Sequence, residues 1–468
     1  MKTISVFPVL LSMCVYGQVF GIPAFPGAQG GGAGSVGGRG GRIIEVTNLN
    51  DSGAGSLREA IEANGARIVV FRVAGTIVLQ SHLIVRNPYL TVAGQTAPGG
   101  GILISGKKLK VDMLQFRTHD IVWEYTRIRK GFATGGNDRA ATIQMIDASN
   151  IMFSHNSLSW NQDEGMGVWG FAADRTKDIS LSWNLVAEGI DPHATGALTG
   201  SDKASVAASM TDIDMDHNME MNNTHRNPLM KHKSARYVNN IDYNNSFYMS
   251  QFIGGISADV IGNIYKRGPM TGTRRGDTHE VEASAASATD AADGSPSLYL
   301  AGNKGWHQTD SSGDQWLLVR KIAGENGAEV GDVPAAWKRS VPLASQTYPI
   351  IAESVSTLEA TMLPIVGASR RLDENGNWVL NRDCVDARLI NQYQTDTGIA
   401  AAITNESQVG GFPVIAGGAA YPDSDHDGMP DAWELAHGLD PNNAADGHLY
   451  ATNGYTNVEN FLRGANDE

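Results

Sequence analysis

The sequence is poor in cysteine. It has only two cysteines in 468 residues, and Cys14 lies behind a single lysine in an apolar run from Ile4 to Tyr16, a pattern typical of a secretory signal. We place the signal peptide at residues 1–21 and expect the protein to be secreted and extracellular. Its removal leaves Cys384 alone, which excludes an intrachain disulfide. Stability must then come from a large core, bound metal or glycans.

Long apolar stretches and an excess of positive charge are also missing. After the signal, no stretch is long enough to span a bilayer, so we expect no membrane partner. The formal net charge is −14, of which −9 falls in residues 423–468, leaving −5 for the rest. Nucleic acid is therefore not an expected partner. A polyanionic ligand stays compatible if local cations or a divalent metal offset the repulsion. We expect a monomer.

Short β-type segments ending in a polar residue are abundant. They recur at Leu90–Gln95, Ile121–Arg127, Ile151–Asn156, Ile179–Asn184, Ile213–Asn218, Arg236–Asn240, Ala258–Asn263 and Ser297–Asn303. From Asn156 onward, the closing asparagines are separated by 28, 34, 22, 23 and 40 residues. This irregular period predicts an all-β fold, a right-handed parallel β-helix, in which the asparagines form a ladder of side-chain hydrogen bonds. A β-sandwich is the competing architecture, but regular hairpin turns are not seen between the segments.

The composition divides the mature chain into three parts. We predict a β-helix domain at residues 22–410, with irregular cover over its C-terminal portion and one short helix near its start, after Ser56. Glycine and proline mark 411–422 as a linker. Residues 423–468 form a small EF-hand-like segment.

The EF-hand-like segment opens on a complete calcium-loop pattern. Oxygen ligands are expected at loop positions 1, 3, 5, 7, 9 and 12, which here are Asp423, Asp425, Asp427, Met429 (through its carbonyl), Asp431 and Glu434. Five carboxylates this close together repel one another without a cation. The all-oxygen ligand set favours Ca²⁺ over Mg²⁺, in a structural or adhesive role.

Four sequons offer acceptor sites for N-linked glycans. They begin at Asn50, Asn222, Asn244 and Asn405. Each would be used only if it lies on the surface and the host glycosylates its secreted proteins.

Residues 212–231 end a strand in a loop that carries Arg226, Pro228 and Lys231. Together with other segments this loop resembles secreted pectate lyases of the parallel β-helix type, and in particular a fungal, pectate lyase C-like branch with an EF-hand-like tail. The resemblance covers about residues 23–310 and the tail. Its motifs are Ala24-Phe-Pro-Gly-Ala, Val46-Thr-Asn-Leu-Asn-Asp-Ser-Gly-Ala-Gly-Ser-Leu-Arg-Glu-Ala, Ala93-Gly-Gln-Thr-Ala-Pro-Gly, Ser157-Leu-Ser-Trp and His225-Arg-Asn-Pro.

The resemblance implies a calcium-dependent enzyme that cleaves polygalacturonate (pectate) by β-elimination. Such a reaction needs a base over C5 and neutralisation of the uronate carboxylate. Matching the motifs residue by residue makes Arg226 the base and Lys231 a substrate-binding cation, where the family usually has arginine. His193 or Lys203 would replace an expected lysine.

By the same resemblance, Asp163 and Glu164 would hold the catalytic Ca²⁺, and Glu188 or Asp191 could add a ligand. The family's usual acidic residue is replaced by Ser154 in the preceding strand. Two alternatives therefore stay open: a pectin lyase acting on methylated substrate without calcium, and a non-catalytic, calcium-stabilised β-helix that binds cell-wall glycan.

Overall fold

A computed structural model describes residues 21–132, 139–276, 278–285 and 292–464. The predicted signal peptide therefore lies outside the described residues except for Gly21. All of the strands are short, and all pair in parallel except the two of the final hairpin, which are antiparallel. In chain order they are β1 Arg42–Val46, β2 Arg67–Phe71, β3 Gly75–Val78, β4 Leu83–Val85, β5 Leu90–Ala93, β6 Ile102–Ser105, β7 Leu114–Phe116, β8 His119–Glu124, β9 Arg127–Arg129, β10 Ile143–Ile146, β11 Ser149–Ser154, β12 Ser157–Ser159, β13 Met166–Trp169, β14 Lys177–Ser182, β15 Leu185–Ala187, β16 Ala197–Gly200, β17 Thr211–Asp216, β18 Met219–Met221, β19 Leu229–Lys231, β20 Ser234–Val238, β21 Ile241–Tyr243, β22 Ser250–Ile253, β23 Ser257–Ile261, β24 Ile264–Lys266, β25 Val281–Ser284, β26 Ser297–Ala301, β27 Val319–Lys321, β28 Arg370–Leu372 and β29 Trp378–Leu380.

The helices are few and short. The α-helices are α1 Leu57–Glu62, α2 Ala204–Ala207, α3 Val355–Ile365, α4 Cys384–Gln394, α5 Asp431–His437 and α6 Asn457–Arg463. Single 3₁₀ turns lie at Gly31–Gly34, Gly94–Thr96, Gln315–Leu318, Ala335–Trp337, Glu406–Val409 and Asp446–His448. Among the described residues, no helix has both the length and the apolar character needed to cross a membrane.

Three parallel sheets wind the chain into a solenoid. The order β1-β2-β5-β8-β11-β14-β17-β20-β23-β26 forms a ten-stranded sheet, beside a nine-stranded sheet (β27-β25-β22-β19-β16-β13-β10-β7-β4) and an eight-stranded sheet (β24-β21-β18-β15-β12-β9-β6-β3). From β3 to β26 each coil contributes one strand to each sheet, so neighbouring strands come from successive coils. The all-β parallel β-helix predicted from the sequence is confirmed.

The predicted asparagine ladder lines one turn of the solenoid. The side-chain oxygen of each asparagine accepts from the backbone N–H of the ladder residue one coil earlier, at 2.9 Å from Asn156 to Asn184 and again from Asn184 to Asn218. Asn240, Asn263 and Asn303 continue the series. The predicted segments end two or three residues too late, because most of the observed strands stop before a residue with positive φ, such as His155 or His217, and the ladder residue follows it.

The apolar side chains inside the coils form one continuous core. Alternate residues of the ten-stranded sheet point inward, as Val69 and Phe71 of β2 do. Helices α3 and α4 cover the outer face of the eight-stranded sheet, where Leu358 and Leu389 pack with Leu185. We expected irregular cover here, and the structure instead has two helices and the β28–β29 hairpin.

The C-terminal segment packs directly on the solenoid. Met429, Trp433 and Phe461 join Ile68 and Val70, the outward-facing residues of β2, in one buried cluster. The predicted linker, 411–422, has no regular secondary structure and runs along the coils, where the backbone N–H of Gly100 donates to Ala416 at 2.9 Å. Both faces of β2 are therefore buried, which accounts for its unbroken apolar run.

Candidate active site

Three successive turns between the eight- and nine-stranded sheets bring the predicted site residues together. Asp163 and Glu164 lie between β12 and β13, His193 lies between β15 and β16, and Arg226 lies between β18 and β19. The parallel bridge between Thr195 and His225 keeps the second and third turns in line. Stacking of turns therefore assembles a site from residues up to 63 positions apart in the sequence.

Arg226 is held between carboxylates. It has positive φ (59°) on its turn, and its Nη1 lies 2.5 Å from Oε1 of Glu164 and 3.8 Å from Oδ1 of Asp163. Its Nη2 donates to Oε1 of Glu325 at 3.1 Å. The forked guanidinium thus contacts carboxylates from two distant parts of the chain.

Burial and these neighbours shift the protonation of the site. Burial first, and then the charge of Asp163, raise the pKa of the Glu164 carboxyl to about 8, although Arg226 opposes both. Burial by itself lowers the pKa of Arg226, but Glu164 and the other acidic groups outweigh it and hold that pKa above its ordinary value. Arg226 is therefore a cation in this arrangement.

Lys231 provides a second cation at the end of β19. Its Nζ lies 2.9 Å from Oδ1 of Asp202, 3.9 Å from Oε2 of Glu325 and 5.1 Å from the centre of the Trp169 ring. Gly200 stands between Trp169 and Lys231 in the sheet register, and a Cβ there would lie 2.4 Å from Cγ of Lys231. The missing side chain gives Lys231 room to cross toward Trp169.

His193 lies beside the acidic pair. Its Nδ1 is 2.6 Å from Oδ1 of Asp163, and its ring meets that of His225 edge to face at 5.4 Å. Burial lowers the pKa of His225 to about 3, with Arg226 and His193 acting in the same direction, so His225 is neutral. His225 packs within the stacked turns, with its ring against those of His193 and Tyr248.

Glu325 is a site residue that the sequence reasoning missed. It lies on a tight hairpin after β27, closed by the bridge between Ile322 and Glu329 and anchored where Arg275 donates to the carbonyl of Gly327 at 2.7 Å. Gly324 and Gly327 flank the turn and give a sequence signal for the hairpin. No sequence signal shows that the hairpin reaches Arg226, 99 positions earlier.

The alternative residues proposed from the sequence point elsewhere. Glu188 is fully buried against helix α4, 2.6 Å from Arg388, and Asp191 pairs with Arg274. Lys203 donates to the carbonyl of Phe171 at 3.3 Å. The suggestion of Glu188 as a metal ligand was therefore wrong, whereas those of Asp191 as a ligand and of Lys203 as a substrate-binding lysine stay predictions.

The balance of charge at the site fits a divalent cation. Asp163, Glu164, Asp202 and Glu325 contribute four carboxylates around the two cations Arg226 and Lys231. Crowding a buried carboxyl beside a second one is costly without further positive charge. Asp163 and Glu164 are the pair that offers oxygens for a hard cation such as Ca²⁺.

The C-terminal loop brings together most, but not all, of its predicted ligands. One oxygen each of Asp423, Asp425 and Asp427 lies within 4.8 Å of the others. A second, overlapping group consists of Asp427, Glu434 and Asp446. Asp431, predicted at position 9, accepts from the backbone and side chain of Ser424, and its role as a ligand, directly or through water, stays a prediction. The carbonyl of Met429 stays a prediction.

Two of the four sequons lie inside the fold. Asn222 and Asn244 are fully buried and hydrogen-bonded to each other at 2.6 Å. A glycan cannot be accommodated on either side chain in the folded chain, which corrects that expectation. Asn50 is exposed and Asn405 is half-buried, so both stay predictions.

Comparison with solved structures defines the class of fold. The cedar pollen allergen jun a 1 superposes with a TM-score of 0.51 at 13% identity, covering 73% of this chain and 92% of that one. A pectate lyase bound to a hexasaccharide gives a TM-score of 0.50 at 13% identity, covering 74% and 98%. At this identity the likeness shows the fold alone.

Curated relatives define the family, although no family model matches the chain. A probable pectate lyase C of Neosartorya fischeri is 31% identical over 461 residues, 97% of this chain and 96% of that protein. Another, of Aspergillus terreus, is 32% identical over 458 residues, 96% and 95% of the two chains. The chain belongs to the pectate lyase C family and is a polysaccharide lyase.

Proposed function

We propose that the protein is a secreted, calcium-dependent pectate lyase that cleaves 1,4-linked galacturonan by β-elimination and releases unsaturated oligogalacturonates. The observation that carries this proposal is the placement of Arg226 beside Asp163 and Glu164, with Lys231 close enough to share the carboxylate of Glu325. A cation pair beside an acidic pair suits a substrate that carries one carboxylate per sugar.

Each residue of the site has a separate role in the proposed elimination. Arg226 takes the proton from C5, the C4–O bond breaks as the C4=C5 double bond forms, and the leaving oxygen gains a proton from water. Asp163 and Glu164 would hold Ca²⁺, which would supply the positive charge needed to neutralise the uronate carboxylate. Lys231 holds a neighbouring carboxylate, and Trp169 beside it offers a ring face to a sugar. His193 orients Asp163.

Arg226 can act as a base only if its surroundings change on binding. In the free protein the acidic groups, Glu164 first, more than offset burial and hold the pKa of Arg226 high. A cation held by Asp163 and Glu164 would occupy these carboxylates and weaken their stabilisation of the guanidinium charge, so that burial would lower the pKa of Arg226. The proposal therefore couples proton abstraction to occupancy of the acidic pair.

The test is an elimination assay on two substrates. The purified protein is incubated with polygalacturonate and with highly methylated pectin, with and without EDTA, while the unsaturated product is followed at about 235 nm. We expect signal on polygalacturonate that EDTA abolishes. Signal on methylated pectin that survives EDTA would support a pectin lyase, and no signal on either substrate would support the non-catalytic alternative.

A variant at the C-terminal loop separates the two places where EDTA can act. Glu434→Gln removes a buried carboxylate of that loop and leaves the acidic pair of the catalytic turns in place. We expect this variant to retain calcium-dependent activity at saturating Ca²⁺. Loss of activity in Glu434→Gln with the fold retained would assign the calcium dependence to the tail.

A further inference from the structure

The C-terminal segment contains buried carboxylate oxygens without hydrogen-bond donors. Both side-chain oxygens of Glu434 are buried and unpartnered, as are Oδ2 of Asp427 and Oδ1 of Asp446. Glu434 itself is 0% exposed and Asp427 is 1% exposed. Buried charges of one sign require a compensating cation or protons. Glu434 therefore lies in a buried acidic cluster that a bound cation would stabilise.

Asp446 joins this group from outside the calcium loop. One of its oxygens lies within 4.8 Å of oxygens of Asp427 and Glu434, while its Oδ2 accepts from the backbone N–H of Asp440 at 3.0 Å. Gly447 allows this approach, because a Cβ at that position would lie 2.3 Å from Oδ2 of Asp427. The connection between α5 and α6 therefore supplies a carboxylate to the loop.

Asp431 lies outside the two groups of clustered carboxylates, although the loop pattern assigns it a ligand position. Its two oxygens accept from the backbone N–H and the hydroxyl of Ser424, each at 2.7 Å. In this role it closes the loop upon itself rather than facing Glu434. The net number of carboxylates around the site is preserved because Asp446 takes its place.

The loop is also fixed to the solenoid beneath it. Arg72 donates to Oδ2 of Asp423 at 3.3 Å and to the carbonyl of Tyr421 at 2.8 Å. Met429 is fully buried in the cluster formed with Ile68 and Val70 of β2. Any change in the loop is thereby transmitted to the contact between the tail and the β-helix.

We propose that Asp423, Asp425, Asp427, Glu434 and Asp446 hold one Ca²⁺, with Asp446 in place of Asp431, and that this ion locks the tail onto the outer face of the β-helix. Five carboxylates from two segments suit Ca²⁺, which accepts a large, all-oxygen shell. The ion joins the loop to the α5–α6 connection, and the loop in turn holds Met429 in the cluster on β2. This role is independent of the lyase reaction.

Calcium binding by matched charge variants tests the ligand assignment. The full chain carrying Asp163→Asn and Glu164→Gln, which removes the acidic pair of the catalytic turns, is titrated with Ca²⁺ by calorimetry. We expect it to bind one ion. Adding Asp446→Asn should weaken this binding at least about tenfold, whereas Asp431→Asn, which removes the same charge from the same segment, should change it less than about threefold.

Three results would overturn the assignment. These are no bound ion in the parent variant, an equal loss for Asp446→Asn and Asp431→Asn, and a larger loss for Asp431→Asn. If Asp446→Asn does not fold, Asp446→Ser replaces it and is judged by the same comparison. Because no arm measures turnover, the result is separate from the outcome of the elimination assay.

Hydrogen exchange of the full protein tests the locking role. Removing Ca²⁺ with EDTA should speed backbone exchange in peptides covering 423–464 and in β2, whose outer face the tail covers. In the Asp431→Asn variant the same calcium-dependent protection should be retained. Unchanged exchange in 423–464 after EDTA would contradict a locking ion.

Discussion

The carboxylate of Glu325 stands where a substrate carboxylate is expected to bind. It contacts Arg226 at 3.1 Å and approaches Lys231 at 3.9 Å, so an incoming uronate must compete with it for both cations. The side chain is 19% exposed and sits at the tip of a hairpin. Displacement of this side chain is a local event that leaves the coils intact.

Glu325→Gln should therefore strengthen substrate binding. Removing the resident charge is expected to lower KM for polygalacturonate about two- to fivefold, in keeping with about 0.5–1 kcal/mol for a partly exposed ion pair. Steady-state kinetics at saturating Ca²⁺ measures it. Glu329→Gln, an exposed residue of the same hairpin, is the control and should leave KM unchanged. A higher KM in Glu325→Gln would show that Glu325 assists binding instead.

His217, which follows β17, lies beside Glu353 in the segment just before helix α3. Burial lowers its pKa, but a hydrogen bond to Asp216 and the carboxylate of Glu353, whose Oε1 lies 3.6 Å from Nε2 of His217, outweigh burial and raise the pKa above its ordinary value of 6.5. A raised pKa in the folded state gives stability that is full below the unfolded value and is lost as pH rises through the folded value. The charged form of His217 therefore stabilises the fold at acid pH.

The difference in stability between the wild type and His217→Gln should shrink with rising pH. Urea unfolding between about pH 5 and pH 9 measures this difference, with Glu353→Gln as the companion variant that removes one of the two acceptors. We expect the largest difference below about 6.5. A difference that grows as pH rises would contradict a raised pKa for His217.

The asparagine ladder is the element that ties successive coils together. Asn218 accepts from the backbone of Asn184 at 2.9 Å and donates to the carbonyl of Leu181 at 2.7 Å and to Oδ1 of Asn240 at 3.0 Å. All of these groups are buried. Loss of one ladder residue leaves several buried polar groups without partners.

Asn218→Ala should lower the free energy of unfolding by about 3 kcal/mol. The expectation comes from about 1–3 kcal/mol for each buried polar group left unsatisfied, reduced by local relaxation. Urea denaturation measures it, with Asn64→Ala on the surface as a control expected to stay within about 0.5 kcal/mol. A loss no larger than that of Asn64→Ala would contradict the structural role of the ladder.

The sequence predicted repeated features better than single contacts. Asn156, Asn184 and Asn218 could be recognised because each closes a similar strand, and repetition marks a coil. Helix α3 was missed because β-branched residues and Pro364 weaken its pattern. Its stability comes from packing of residues such as Leu358 against the sheet, which local sequence does not display.

The site residues that lie on repeated turns were predicted from the sequence, and those that depend on single tertiary contacts were missed. Arg226, Asp163 and Glu164 lie on equivalent turns and carry motif signals, so they could be placed together before the fold was known. Glu325 and Asp446 reach their partners through a hairpin and an interhelical connection with no motif. Contacts of this kind depend on tertiary geometry, which a pattern of residue types does not encode.

On the scale of the whole molecule, one solenoid carries two acidic sites, to which we assign separate roles. The catalytic turns face the edge between the eight- and nine-stranded sheets, while the tail loop covers the ten-stranded sheet at β2. Calcium removal is therefore expected to affect turnover and tail docking through different residues. Variants at one site or the other are needed to decide which site is responsible for an effect of EDTA on this protein.

We propose that Arg226 is the base of this β-helix lyase. The most direct test of this proposal is the rate of unsaturated product formation by Arg226→Lys on polygalacturonate at saturating Ca²⁺. A lysine cannot keep the forked contacts to Glu164 and Glu325, so we predict a fall in kcat of about 10²- to 10⁴-fold with the fold retained. Arg236→Lys, at an ion-paired arginine on another sheet, should stay within about twofold of wild type. Retention of wild-type kcat by Arg226→Lys would contradict the account.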